Sequence, residues 1–97
     1  MAKGYWIAHV EMKDPEGYKR YQAANAVAFE KYDAKFLVRA GQAVTKLGEI
    51  KPRHVVIEFP SYQAALDCYE SPEYQHAIAV RGDSGDVDIA IVEGYDG

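Results

Sequence analysis

Ninety-seven residues and 10.8 kDa leave room for one domain, which buries about 65% of the surface its unfolded chain exposes. At 48% hydrophobic and 27% charged, the chain is too apolar to stay disordered. Its net charge of −4 gives it no general attraction to phosphate backbones or anionic lipid.

Met1-Ala2-Lys3-Gly4-Tyr5 runs straight into a strand pattern. It has no apolar signal core, and no apolar run approaches the roughly 18 residues of a membrane span. A reducing cytoplasm is the expected compartment. Tyr5–Met12 alternates, with Trp6, Ala8, Val10 and Met12 on a dry parity and Tyr5, Ile7, His9 and Glu11 on a mixed one. Asp14-Pro15-Glu16 then starts a helix: a capping acid, a first-turn proline that needs no donor, and an acid at the positive dipole end. Tyr18, Tyr21, Ala28, Phe29 and Tyr32 recur at helical spacing, with Asn25 in the same stripe. That helix is expected to end near Asp33.

Lys35–Arg39 reads as a second strand, with Phe36 and Val38 on one side and Leu37 and Arg39 on the other. After the turn at Gly41, Ala43–Leu47 reads as a short strand, and residues 48–52 as a loop. Whether Ala43–Leu47 stays with its own subunit is not set by sequence. Arg53–Phe59 is the clearest strand: Val55, Ile57 and Phe59 are dry, and His54, Val56 and Glu58 face the other way. Ser61 caps a helix through Tyr69, Ser71-Pro72-Glu73 caps another, and Gly82 ends it. The only cysteine, Cys68, lies in the first of these helices. It excludes an internal disulfide and reads as a small buried hydrophobe. Val87–Glu93 is the last strand.

The order β-α-β-(β)-β-α-α-β, with right-handed crossovers, specifies a ferredoxin-like α+β sandwich across residues 1–97: an antiparallel sheet with the helices on one face. The expected strand order is fourth, first, third, second. The helix-free face would carry Tyr5, Ile7, Leu37, Val56, Ile89 and Ile91, a patch too apolar to stay wet. A homodimer closed through that face is therefore expected. His9, Glu11, Arg39, His54, Glu58 and Glu93 are placed on the same face, which suggests a partly polar chamber between subunits. With the first and third strands taken as parallel, Tyr5, Arg39, His54 and Glu93 fall at one end, and His9, Glu11 and Glu58 at the other.

Lys3-Gly4-Tyr5-Trp6-Ile7-Ala8, Phe36-Leu37-Val38-Arg39, Val55 to Tyr62, Ser71-Pro72-Glu73-Tyr74 and Ile91-Val92-Glu93-Gly94-Tyr95 together resemble the domain of unknown function 1330 family (DUF1330). The resemblance spans the chain. It implies the dimeric α+β barrel superfamily, whose members include cofactor-free quinone-forming monooxygenases, muconolactone isomerases, haem enzymes and proteins of no shown activity.

The candidate catalytic residues are His54 and Glu58, as groups able to move a proton. Arg39 is a candidate for holding a carboxylate or enolate, with Tyr5, His9 and Glu93 as further ligand-binding candidates. His54 and Glu58, four residues apart on a strand and roughly 13 Å from each other, are not a bonded pair. The expected ligand is a small aromatic or carboxylate metabolite, and the expected chemistry is proton transfer or cofactor-free oxidation. The alternative is a non-catalytic homodimer in which Arg39 of one subunit pairs with Glu58 or Glu93 of the other.

No metal site is expected, because His9, His54 and His76 lack the spacing of a ligand pair. No cofactor or phosphate motif is present. RNA binding fails on Glu58 and on the lack of stacking aromatics in Arg53–Phe59.

Overall fold

The computed structural model describes residues 2–96. Local sequence rules place the elements. β1 (Gly4–Met12) buries Trp6, Ala8 and Val10, the parity that alternation predicts. α1 (Pro15–Lys31) opens where the Asp14 carboxylate accepts from the Glu16 N–H with Pro15 at the first turn, and it buries Tyr18, Tyr21, Asn25, Ala28 and Phe29. β2 (Lys35–Arg39) and β3 (Arg53–Phe59) follow. The Ser61 and Ser71 hydroxyls cap α2 (Tyr62–Glu70) and α3 (Pro72–Arg81), and α3 ends at Gly82, whose φ of 48° suits glycine. β4 (Gly85–Glu93) closes the chain's secondary structure.

The sheet order is β2-β3-β1-β4, the order expected, and every neighbouring pair is antiparallel. This corrects the strand directions read from sequence: β1 and β2 share a direction, and β3 and β4 oppose them. The single helix α1 returns the chain so that β2 runs with β1, and β3, turned back against β2, therefore opposes β1 as well. Residues 40–52 form no strand, which corrects the short strand expected at Ala43–Leu47. Val44 and Leu47 there are 74% and 88% exposed.

The helices pack on one face around Trp6. Its ring meets Phe29, Phe59, Tyr69 and Tyr74 with centroids 4.8 to 5.8 Å apart, and its indole N–H donates to the Ala65 carbonyl at 2.9 Å. Cys68 is fully buried among these helices, and burial pushes its thiol up to about 12. Tyr21 and Tyr74 share a hydroxyl–hydroxyl bond in the same core. One helix layer on one sheet makes a slab only 17 Å through in Cα positions. Its accessible surface is 6239 Å², against roughly 5,500 Å² for a monomer of this mass.

No helix among the described residues is long and apolar enough to cross a membrane.

Candidate functional site

The strand register sorts the helix-free face into rows. The first runs Lys35, Glu58, Tyr5, Val92 across the four strands. Next comes an apolar row of Val38, Val56, Ile7 and Ala90. His54, His9 and Asp88 form the third row, and Glu11 beside Asp86 the last. Ile7, Val38 and Val92 are 37%, 41% and 42% exposed.

Antiparallel pairing of β1 with β3 regroups the candidate residues. Tyr5 stands opposite Glu58, and His9 opposite His54. The two ends inferred from sequence are therefore exchanged on β3. The Tyr5 hydroxyl donates to Glu58 Oε1 at 3.1 Å, and Lys3 Nζ lies 3.5 Å from Glu58 Oε2, so each carboxylate oxygen has a donor. Desolvation, and then the Glu58 carboxylate, raise the Tyr5 phenol above its ordinary value. His9 and His54 meet Nδ1 to Nδ1 at 2.9 Å, with the rings near perpendicular. Asp88, level with His9, pairs with Lys51. His54 and Glu58 thus have separate partners.

Three placements differ from expectation. The ladder steps from Phe36 opposite Ile57 to Val38 opposite Val56, so Leu37 is an extra residue in β2. This bulge reverses the parity beyond it. Val38 joins the helix-free face, while Arg39 falls level with the helix-facing Val55. Arg39 stacks on Phe36, with its guanidinium carbon 4.2 Å from the ring centroid. It therefore cannot meet a partner's Glu58 across an interface of helix-free faces.

Ile89 and Ile91 are level with Ala8 and Trp6 and pack on the core, so they too leave the helix-free face. Glu93, level with Gly4, has the helix-side parity and is exposed at the strand's end. Asp86, Asp88, Ala90 and Val92 take the places assigned to them. The alternation of acids with Val87, Ile89 and Ile91 was the available signal.

A cavity lies between the sheet and α1, and Arg39 stands at its wall with Arg53, Tyr18, Gln22 and Asn25. Arg53 had gone unnoticed as a site residue, although it shares the dry parity of Val55 and Ile57. Among the described residues no group of three or more His, Cys, Asp or Glu is arranged to hold a metal ion. His76 is exposed on α3.

A four-stranded antiparallel sheet in this order, with all helices on one side, defines a ferredoxin-like α+β protein. Within that class the chain belongs to the family described as domain of unknown function (DUF1330), whose model matches residues 3–95. A protein of unknown function from Rhodopseudomonas palustris is similar in structure, with a TM-score of 0.76 at 17% identity, covering 99% of this chain and 85% of that one. A dimeric ferredoxin-like protein of unknown function from Thermobifida fusca superposes with a TM-score of 0.62 at 15% identity, covering 95% and 91%. The cofactor-independent oxygenase SnoaB from Streptomyces nogalater gives 0.62 at 8% identity, covering 100% and 97%. At these identities the likeness is one of fold. No curated protein matches the sequence.

Proposed function

We propose that the protein is a homodimer closed through its helix-free face, and that the partly polar chamber between the two sheets binds a small aromatic or carboxylate-bearing molecule. His54 and Glu58 are the groups there that exchange a proton with it, and His9 and Tyr5 set their orientation. Arg39 and Glu93 have no part in this chamber. The observation that carries the reading is the apolar row of Val38, Val56, Ile7 and Ala90, open to water between two polar rows.

Size supports it. Four strands at about 4.8 Å spacing present a face on the order of 500 Å². A standard interface needs roughly 800 Å² per partner. The exposed Val44, Leu47 and Ile50 of the 40–52 loop are apolar surface available for the remainder. The Thermobifida fusca relative is described as dimeric, and SnoaB as a cofactor-independent oxygenase, so the fold accommodates both features elsewhere.

One observation favours a second reading. Glu58 already has Tyr5 and Lys3, and His54 already has His9, within a single chain. A chamber whose polar groups satisfy one another is a seam, and the protein is then a non-catalytic homodimer.

A thermal-shift screen of small aromatic and carboxylic metabolites separates the two, because a ligand raises apparent stability by mass action. Stabilisation that is lost in His54→Asn supports the chamber, and silence across the screen supports the seam. Glu58→Gln adds a check: it leaves the dimer intact if Glu58 serves a ligand and loosens it if Glu58 is a seam ion.

A further inference from the structure

The opposite side of the sheet carries a separate feature. The cavity between the sheet and α1 encloses about 40 Å³. That is room for about three water-sized groups, the heavy-atom count of a carboxylate rather than of a whole metabolite. Arg39 and Arg53 both line it, and no Asp or Glu does. Neither arginine forms a salt bridge among the described residues.

Arg53 is half-buried, and its buried Nε–H has no hydrogen-bond partner. A buried N–H without a partner is costly unless an anion or water satisfies it. Arg39 is exposed at the same wall, with its guanidinium carbon 4.2 Å from the centroid of Phe36. The Arg53 guanidinium carbon lies 5.6 Å from the centroid of Tyr18. A guanidinium packed against a ring, as that of Arg39 is against Phe36, has its N–H fork restricted, and such a fork receives a planar carboxylate through two parallel bonds. Gln22 and Asn25 add neutral hydrogen-bonding groups, and Phe36 and Tyr18 add flat apolar walls.

We propose that this cavity is an anion site of each protomer, which takes the carboxylate of a small planar organic acid between Arg39 and Arg53 and leaves the rest of the molecule at its mouth. The site goes beyond the chamber reading: it lies on the other face of the sheet and is complete within one chain.

The experiment is an NMR titration of ¹⁵N-labelled protein with sodium benzoate, using benzamide as the neutral isostere. The Nε–H resonances of Arg39 and Arg53 should move and saturate with benzoate, and benzamide should leave them still. Arg39 is exposed, so Arg39→Gln should fold, and it should weaken benzoate binding at least tenfold. Arg39→Lys should retain part of the affinity. In His54→Asn, altered on the other face, the Arg39 and Arg53 resonances should answer benzoate as they do in the wild type, whatever that change does to the chamber.

Arginine resonances that ignore benzoate, or that follow benzamide equally, overturn the proposal. Benzoate binding unchanged in Arg39→Gln also overturns it. Binding lost in His54→Asn but kept in Arg39→Gln would move the ligand to the chamber and remove it from this cavity.

Discussion

The imidazoles of His9 and His54 meet across the β1–β3 ladder, Nδ1 to Nδ1 at 2.9 Å, with ring planes 83° apart. A bond between these two atoms needs a proton on one and a lone pair on the other. Removing one ring leaves the other nitrogen without its partner on this face, and Asp88, level with His9, is already engaged by Lys51. His9→Phe is therefore expected to weaken the dimer, and His9→Gln, which keeps a hydrogen-bonding side chain opposite His54, to weaken it less. Sedimentation at fixed pH reads this, and a His9→Phe dimer as tight as the wild type would show that the pair plays no part in the interface.

Glu73 ties α3 to α1. Its own backbone N–H at the start of α3, and then Lys31 with Nζ at 3.1 Å, hold its carboxyl below the ordinary value. A lowered carboxyl contributes stability above its unfolded value, and that contribution is lost as pH falls through the folded one. The urea midpoint of Glu73→Gln should therefore lie below that of the wild type at pH 7, and the gap should close towards pH 3. A gap that persists at pH 3 would mean that the charge of Glu73 is not what joins these helices.

Cys68 should be inert in the folded protein. Burial raises its thiol to about 12, so the reactive thiolate is suppressed at pH 8, and access is closed as well. Ellman's reagent should react only on unfolding, at a rate that follows the denaturation curve. Fast labelling of the native protein would contradict the packing around α2.

Gly4 sets how closely β1 approaches α2. A Cβ there would lie 2.5 Å from the Ser61 carbonyl oxygen and 2.7 Å from the Tyr62 Cα, both backbone atoms with little freedom to move. Gly4→Ala should cost about 1–3 kcal/mol. Denaturant titration measures this, and a neutral result would mean that the helix shifts freely on the sheet.

The sequence makes much of this fold legible because its punctuation is chemical. Asp14-Pro15, Ser61 and Ser71-Pro72 each satisfy free helix N–H groups, and these helices begin where those residues say. Alternation placed Trp6, Val55 and Ile57 in the core and Tyr5, Ile7 and Val56 opposite. Arg39 was not legible. The bulge at Leu37 adds one residue to a five-residue strand with no glycine to announce it, and one residue inverts every side chain beyond it. The pairing of Tyr5 with Glu58 was recoverable, since one helix between β1 and β2 makes them share a direction and the return from β2 to β3 then sets β3 antiparallel to β1. The contact between His9 and His54 follows from the same rule.

When two helix-free faces close on each other, Val56, between Val38 and Ile7, stands in the middle of the seam. The most direct test is light-scattering mass on the wild type and on Val56→Lys side by side at micromolar concentration. A face-to-face homodimer gives twice 10.8 kDa for the wild type and 10.8 kDa for a still-folded Val56→Lys. A wild-type mass of 10.8 kDa, or a Val56→Lys protein that stays dimeric, would contradict it.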